Sequence, residues 1–379
     1  MIVYQHNRKI HKRAPVNSST PPETTLAGEQ AEIGMSSSSS PVAAVRSTCA
    51  AVVRQSKHVK ISAAGIDAAA VSFLSVSGTE TVVDLSEAVS GIEWDSSDWH
   101  YSKDVARYGP LTCQYIFVLD SLNFCFWPVA NVEYDTLAVC LKRVLERDES
   151  AFGAAKLASM TEEELESWFP SVQIPLLSER VERLRELGCG LLDKDDGYDG
   201  LACNVVARAK NSAVQLVKLV LRSFQGFRDT VVYKGALVHF YKRAQILVGD
   251  VWAAYGRQTE SSGLSSASAG SIYCFNDMDQ LTMFADYRVP QLLRQMAILE
   301  YTEDLARSID GYEEIAFGSD EETEIRAATV VAVEQLQQAL VEKGATKLLV
   351  VELDWLLWQR GEAMKEALRP HHRTLTVYY

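Results

Sequence analysis

Acidic side chains that could do chemistry stand in some of the most apolar strings of the sequence. Asp250 lies in YKRAQILVGDVW, and Asp354 lies in VVELDWLLWQRG. Asp277 and Asp286 lie in YCFNDMDQLTMFADYRVPQLL. Buried acids usually cap helices or pair with cations. Beside aromatic residues they could also line a pocket, in which rings stack on a flat heterocycle and carboxylates accept its N–H groups. For any one acid the structural role is commoner, but the whole set favours neither interpretation.

A further acid and an amide lie in LDSLNFCFWP at 119–128, where Asp120 and Asn123 stand among large aromatic residues. A core strand built from Val and Ile would need no hydrogen-bond partners, so this polar pair requires its own explanation. Side chains that hold neighbouring backbone or catalytic groups in place would account for it. Asp120 and Asn123 are therefore interpreted as support for a pocket rather than as its reactive groups.

Composition excludes several classes of protein. The chain has 379 residues, with 37 Lys and Arg against 50 Asp and Glu, and a formal net charge of -13. Because this charge repels phosphate backbones, we expect no direct nucleic-acid partner. No apolar run approaches the roughly 20 residues that a membrane span needs. The seven cysteines are odd in number and never spaced as CxxC, which predicts reduced thiols.

The common cofactor and metal motifs are missing from the sequence. There is no GxGxxG after a strand, no GxxxxGK[ST] and no GxSxG, so common nucleotide-binding folds are disfavoured. DKDDGYDG at 193–200 resembles a calcium loop, but Tyr198 and Asn204 stand where an EF-hand needs Gly and Glu. His371 and His372 are adjacent and cannot share one helix face. We therefore expect no metal and no cofactor.

Apolar periodicity predicts a fold that is mainly α with a small β component. Strands are predicted for IFVLD at 116–120 and for a hairpin in TVVYKGALVHFYK that turns at Lys234 and Gly235. The helices are predicted from apolar residues at helical spacing. They run over 134–145, over 181–187 with a C-cap at Gly188, over 206–224, over 292–299, and over 325–340 with an end at Gly344.

The chain is predicted to divide into a tail and one globular unit. Residues 1–41 are rich in Pro and Ser with little to bury, which is typical of a disordered tail. Residues 42–379 are interpreted as a single compact domain of two fused lobes, with a Ser/Gly-rich surface loop at 257–271. We expect a cytoplasmic monomer. Because no acid precedes Glu23, a mitochondrial presequence is an alternative for the tail.

Five strings of this sequence resemble the queuosine salvage protein family. They are LDSLNFCFWP, FYKRAQILVGD, LTMFADYRVPQ, ELDWLLWQRG and the ending HHRTLTVYY, and the resemblance runs from about residue 45 to the C-terminus. It implies hydrolysis of the N-glycosidic bond of queuosine 5'-monophosphate, which releases queuine for salvage into tRNA modification. It also implies a helix-hairpin-helix DNA-glycosylase-like helical fold that lacks DNA-gripping elements. A small-molecule nucleotide is then the expected partner.

The resemblance, taken residue by residue, implies roles for the polar residues. Breaking a C1'–N bond passes through an oxocarbenium-like transition state, which a fixed carboxylate can stabilise. Asp286 is expected to be that carboxylate, with Asp277 and Asp250 as alternatives. Asp120 and Asn123 would support the pocket. The expected substrate-binding residues are His100, Phe275, Phe284, Tyr287, Asp354, Trp355 and Gln359 around the base, and Lys242 and Arg243 at the phosphate, with Arg288 and Arg373 behind them.

The chemistry of the base determines which contacts the pocket must provide. Queuine is a 7-deazapurine without the N7 that purine hydrolases can protonate, so hydrogen bonds to its other edges must help it leave. Its secondary amine is protonated near neutral pH, and a carboxylate facing this amine would reject guanine. The family often has Tyr and an acid where this chain has Trp355 and Gln359. Two alternatives stay open, a non-catalytic helical nucleotide-binding or scaffold protein and a glycosidase for another nucleoside monophosphate.

Overall fold

α-Helices make up most of the structure, a computed structural model, and the predicted mainly α class with a small β component is confirmed. The structure describes residues 40–75, 85–90, 92, 94, 97–107, 109–129, 132–257, 271–345 and 348–379. Nearly all of the predicted tail (1–39) and of the predicted surface loop (258–270) lies outside these residues. The first helix begins at Pro41, inside the predicted tail, because Ser40 caps it.

The first half of the chain is almost entirely helical. Its elements are α1 (Pro41–Gln55), β1 (Val59–Ile61), α2 (Ala63–Leu74), α3 (Leu85–Ser90), a 3-10 turn (Val105–Arg107), α4 (Pro110–Leu122), α5 (Tyr134–Arg147), α6 (Ala154–Ala158), α7 (Glu162–Ser167) and α8 (Leu177–Leu192). The predicted helix over 134–145 is confirmed as α5.

The second half contributes three of the four strands and the helices nearest the candidate site. Its elements are α9 (Ala202–Arg208), α10 (Ala213–Ser223), a 3-10 turn (Gln225–Phe227), β2 (Thr230–Tyr233), β3 (Ala236–His239), α11 (Lys242–Ala254), a 3-10 turn (Met278–Gln280), α12 (Arg288–Gln295), β4 (Leu299–Tyr301), α13 (Glu303–Asp310), α14 (Asp320–Glu342), α15 (Val350–Met364) and a 3-10 turn (Lys365–Ala367).

The strands form two separate antiparallel pairs. β1 pairs with β4, so that Lys60 lies opposite Glu300. β2 and β3 form the predicted hairpin, in which Tyr233 lies opposite Ala236. The two turn residues between them have positive φ angles of 48° and 82°. This conformation suits a two-residue turn, and the glycine at its second position adopts it without strain.

The predicted strand at 116–120 is wrong, because these residues lie inside α4. The helix begins at Pro110, a favoured first residue, and the carboxylate of Asp104 accepts the backbone N–H groups of Leu111 and Thr112 at 2.7 and 3.1 Å. Every residue from Thr112 to Leu122 is buried. A helix buried on all sides shows no amphipathic period, so its sequence cannot be distinguished from a buried strand by periodicity.

The predicted C-cap at Gly188 is also wrong, because α8 continues past it to Leu192. Gly188 is buried against α6 instead. A Cβ atom at this position would lie 2.3 Å from the backbone nitrogen of Ala158 and 2.5 Å from the carbonyl oxygen of Ala154. Glycine therefore lets the two helices approach at the level of their backbones.

Two other predicted helices end earlier than their apolar patterns indicate. The stretch over 206–224 divides into α9 and α10, because Lys210 and Asn211 adopt positive φ angles of 51° and 62°. The stretch over 292–299 stops at Gln295, and Leu299 begins β4. The last predicted helix corresponds to α14, which Gly344 follows with a φ of 111°.

Gly188→Ala should lower the free energy of unfolding by about 1–3 kcal/mol, because the new methyl group would overlap the backbone of α6. Urea denaturation of the purified protein measures this change. Cys189→Ala is the matched control, since Cys189 is the exposed neighbour on the same helix. Its effect should stay within about 0.5 kcal/mol. Unchanged stability of Gly188→Ala would contradict the close packing of α6 on α8.

Candidate functional site

A cavity of about 280 Å³ is lined by residues of α11 and α15, by Ile92, Trp94 and residues within 97–100 and 284–287, and by the C-terminal end of the α4 region. Most of the residues assigned to the site from the sequence lie in its wall. These are His100, Asn123, Lys242, Asp250, Phe284, Asp286, Tyr287, Asp354, Trp355 and Gln359.

Asp277 and Phe275, which were assigned to the site, lie outside the wall of this cavity. Asp277 caps α10, since its carboxylate accepts the Ser212 hydroxyl at 2.6 Å and the Ala213 backbone N–H at 2.5 Å. Phe275 is fully buried in the hydrophobic core. Asp277 therefore has a structural role, the capping of a helix, which is the commoner role for any one acid in such a sequence.

Arg243 is likewise not available to a phosphate, because it is buried against the end of α4. Its guanidinium donates to the carbonyl oxygens of Asp120 at 3.0 Å and Ser121 at 2.9 Å. Arg180 makes similar bonds one step further along, to the carbonyls of Leu122, Phe124 and Cys125. Neither arginine has an ion-pair partner among the described residues. The two cations satisfy the orphan carbonyls at the helix C-terminus and so fix Asp120 and Asn123.

A buried ion pair fixes the start of α11. Arg326 donates to both carboxylate oxygens of Asp229, at 3.0 and 2.6 Å, and both side chains are essentially unexposed. The same carboxylate accepts the backbone N–H of Lys242 at 3.3 Å, and the carbonyl of Asp229 accepts the N–H of Phe240 at 3.0 Å. Asp229 thereby sets where the helix begins and places the Lys242 side chain in the cavity wall.

Lys242 is 5% exposed and interacts electrostatically with buried acids from three segments of the chain. Burial lowers the pKa of its ammonium, while Asp286, Asp120 and Asp354 favour the charged form. The positive charge of Lys242 also favours the charged form of Asp250, which lies two turns further along α11. The Lys242 ammonium therefore favours the charged form of four carboxylic acids.

The four acids differ in how far their surroundings favour the ionised form. Burial raises the pKa of Asp120 to about 7. It raises the pKa values of Asp250 and Asp354 well above the usual range, and neighbouring carboxylates add to the rise. Burial also raises the pKa of Asp286, but Lys242 and the Val289 backbone N–H, 2.9 Å from its Oδ1, oppose this. Burial therefore disfavours ionisation of all four acids, and at Asp286 this effect is opposed by two cations, Lys242 and Arg288, and by a backbone N–H.

Aromatic side chains that the sequence did not single out complete the walls. Trp94 stacks on His100 with ring centroids 4.0 Å apart, and Nε2 of His100 lies 2.9 Å from the Tyr134 hydroxyl. Tyr134 in turn meets the edge of Trp358. Trp358 could have been found from its spacing, because it follows Asp354 by one helical turn on α15. Tyr134 lies 34 residues from His100 in the chain and carries no such signal, whereas Trp94 lies only 6 residues before His100.

The cations at the rim of the cavity differ from those expected. Arg288 binds Glu362 at 2.6 Å, and the guanidinium of Arg373 lies over the ring of Tyr312. Arg257 and Lys365 do line the cavity. Arg257 lies over Trp355 and donates to the Val89 carbonyl at 2.7 Å, while Lys365 pairs with Glu133 and Glu362.

The part of the chain that the structure describes contains no group of three or more His, Cys, Asp or Glu side chains arranged to hold a metal ion. Its helices also include none that is long and apolar enough to cross a membrane.

A family model described as queuosine salvage protein matches residues 100–379. The chain belongs to this family. A relative from Dictyostelium discoideum is 41% identical over 344 residues, which cover 89% of this chain and 99% of that protein. A relative from Sphaerobacter thermophilus is 38% identical over 311 residues, or 79% and 91% of the two chains. A third, from Mus musculus, is 32% identical over 289 residues, or 70% and 81%. Each relative is named queuosine 5'-phosphate N-glycosylase/hydrolase.

The match of the queuosine salvage family begins at His100 and covers every acid around Lys242. Asp120 lies behind the cavity wall, where the Asn123 amide donates to its Oδ1 at 3.2 Å. No hydrogen-bond partner for its Oδ2 occurs among the described residues. This family member therefore keeps an acid in its core that is costly to ionise.

Asp120→Asn should stabilise the protein more at pH 8 than at pH 4.5. The carboxyl titrates near pH 3.9 when unfolded and at about 7 when folded, so its burial costs nothing below about pH 4 and the full penalty above about pH 7. We expect a melting temperature at least about 2 °C above wild type at pH 8. Thermal unfolding at both pH values measures this.

Asp279→Asn is the control for Asp120→Asn, because Asp279 is an exposed acid outside the cavity wall. It should leave the melting temperature unchanged within error. An effect of Asp120→Asn that is the same at both pH values would contradict the raised pKa of this acid.

Proposed function

We propose that this chain hydrolyses the N-glycosidic bond of queuosine 5'-monophosphate and releases queuine for salvage into tRNA modification. The relatives named for this activity align over most of the chain. One observation in the structure supports it most: a cavity with aromatic walls contains both Asp286, whose charged form Lys242 favours, and Asp354, whose ionisation burial disfavours. A glycosidase needs both states of a carboxylic acid, because one group stabilises the sugar cation while others donate to the leaving base.

Asp286 is the carboxylate that we assign to the sugar. Its Oδ1 is fixed by the Val289 N–H, so the side chain is held before substrate arrives. As the C1'–N bond lengthens, positive charge develops on C1' and the ring oxygen, and an ionised Asp286 stabilises it. The same carboxylate could accept a proton from the attacking water or bond briefly to C1'. The Lys242 ammonium makes this possible by favouring the charged form of Asp286.

Protonated acids and aromatic rings would hold the leaving base. Asp354 accepts the Phe284 backbone N–H at 3.1 Å through Oδ1, and as a neutral acid it can donate a hydrogen bond to an edge of the base. Phe284 and Trp355 lie in the same wall and offer faces for stacking. Because the 7-deazapurine cannot be protonated at N7, such edge contacts would carry the leaving-group assistance.

We assign the 5'-phosphate to the rim rather than to Lys242. The buried acids around Lys242 favour its charge and would repel a phosphate dianion, so this lysine serves Asp286. Arg257 and Lys365 line the cavity, and a dianion there could bind Arg257 and displace the Glu133 and Glu362 carboxylates from Lys365, which is only partly buried. The substrate would then enter with its base inward and its phosphate towards these two cations.

The proposal also covers the arrangement of the helices, the domain organisation, the class of partner, the oligomeric state and the location. The resemblance supports a helix-hairpin-helix DNA-glycosylase-like arrangement of the helices and a domain of two fused lobes. The net charge of -13 supports a mononucleotide as the substrate and disfavours direct contact with nucleic acid. We further propose a monomer that acts in the cytoplasm.

Asp286→Asn should lower kcat for release of queuine from queuosine 5'-monophosphate by at least about 10³-fold, because the amide cannot compensate the charge on the sugar. Mass spectrometry of the free base measures the rate. Asp277→Asn is the matched control, since this acid caps α10 outside the cavity wall, and its kcat should stay within about 3-fold of wild type. Equal turnover by Asp286→Asn and wild type would show that Asp286 does not take part in the reaction. Binding without turnover by wild type would favour a nucleotide-binding protein.

Lys242→Met should move the acidic limb of the kcat/KM profile to higher pH. Without the ammonium the pKa of Asp286 rises further, so less of it is ionised at pH 6 and the loss of activity is greater there than at pH 8. Initial rates from pH 5 to 9 measure the limb. Lys365→Met, the control at the rim, should raise KM without moving the limb. An unshifted limb in Lys242→Met would contradict the coupling of Lys242 to Asp286.

A further inference from the structure

Tyr379 lines the cavity but contributes none of the groups assigned to the reaction. Its side chain is almost completely buried, and the Arg326 guanidinium carbon lies 4.3 Å from the centroid of its ring. Phe240 offers a second ring to the same guanidinium at 4.0 Å. Contacts between a cation and aromatic faces stabilise most where water is excluded, and Arg326 is fully buried. Tyr379 therefore links the cavity wall to a buried cation.

Further bonds fix the position of Tyr379. Its hydroxyl donates to Oε1 of Glu322 at 2.9 Å, and Nε2 of His372 lies 3.2 Å from the same hydroxyl. Glu322 lies one turn before Arg326 on α14, and the distance from its Oε1 to Nη1 of Arg326 is 3.5 Å. The backbone oxygen of Tyr379 accepts the N–H of Cys125 at 2.9 Å, in the segment after α4. Because its backbone, hydroxyl and ring all have partners, the ring is held against the guanidinium.

Arg326 in turn contacts both segments that contribute the Lys242–Asp286 pair. Its two terminal nitrogens bind Asp229, whose carboxylate accepts the backbone N–H of Lys242. Its Nε donates to the carbonyl oxygen of Ala285 at 3.2 Å, and Ala285 immediately precedes Asp286 in the chain. One guanidinium therefore fixes the backbone next to each member of the pair.

We propose that Tyr379 is a positioning residue for the Lys242–Asp286 pair. It restrains the Arg326 guanidinium, and Arg326 holds the backbone beside both members. This proposal rests on the function proposed above. A shift of about 1 Å in a catalytic group can cost about 100-fold in rate, so the ring affects turnover without touching the reacting atoms. If the ammonium moves away from the carboxylate, their attraction weakens and Asp286 takes up its proton at higher pH.

The test compares Tyr379→Leu, which removes the aromatic face, with Tyr379→Phe, which keeps it. With queuosine 5'-monophosphate, Tyr379→Leu should lower kcat by about 10- to 100-fold and change KM by less than about 3-fold, because the contacts to base and phosphate remain. The acidic limb of its kcat/KM profile should move to higher pH. Tyr379→Phe should lose only about 2- to 5-fold in kcat and keep the wild-type limb, because the ring still contacts the guanidinium. Initial rates from pH 5 to 9 measure both.

Gly188→Ala controls for lost stability, because it disturbs the contact of α6 with α8 outside the cavity wall. It should melt below wild type and keep the wild-type kcat and acidic limb. Tyr379→Met, whose flexible side chain fills a similar space, replaces Tyr379→Leu if the latter does not fold. A variant without the ring that melts lower but keeps the wild-type kcat and limb would overturn the proposal. Equal losses in Tyr379→Phe and Tyr379→Leu would overturn it too.

Crystal structures of unliganded wild type and Tyr379→Leu need no turnover. In the variant, the Ala285 carbonyl oxygen or Nζ of Lys242 should lie at least about 1 Å from its wild-type position. If neither atom moves, Tyr379 does not position the pair. A wild type that does not cleave queuosine 5'-monophosphate would refute the proposed reaction, whereas the displacement would still support Tyr379 as the residue that holds Lys242 and Asp286 in place.

Discussion

The electrostatic interaction of the Lys242 ammonium with the buried acids around it is the constraint on which the rest of the site depends. Burial and mutual repulsion disfavour simultaneous ionisation of the three acids that line a cavity of about 280 Å³, Asp250, Asp286 and Asp354, and of Asp120 behind its wall. The acids differ in their surroundings. Lys242 favours the charged form of each, and Asp286 has Arg288 and the Val289 backbone N–H in addition, whereas neighbouring carboxylates raise the pKa values of Asp250 and Asp354 further.

Buried charged side chains hold this arrangement in place. Asp229 and Arg326 form an ion pair that fixes the first residue of α11 and hence Lys242. Arg180 and Arg243 bind backbone carbonyls at the end of α4, with the Phe124 ring near both guanidiniums. Buried ionic groups seldom add much net stability. Here they determine position, because each one orients a segment that contributes to the cavity wall.

The sequence allowed the main parts of the site to be predicted but not its scaffold. Asp250, Asp286 and Asp354 stood out because acids are rare in apolar segments. Arg243 was wrongly assigned to the phosphate because a sequence does not show whether a cation at a helix start faces a cavity or a neighbouring helix. Tyr134 was missed as a wall residue because only the tertiary fold brings it to His100, which lies 34 residues before it in the chain. The predicted strand in α4 failed because burial on all sides removes the helical period.

The crystal structure of Asp286→Asn with intact queuosine 5'-monophosphate tests the central claim most directly, since this variant should bind the substrate without cleaving it. The account predicts that C1' of the ribose lies within about 3.5 Å of the side chain at position 286. The base should lie inward against Asp354, with the phosphate at Arg257 and Lys365. A ribose whose C1' lies against Asp354 or Asp250 instead would contradict the assignment of the catalytic carboxylate.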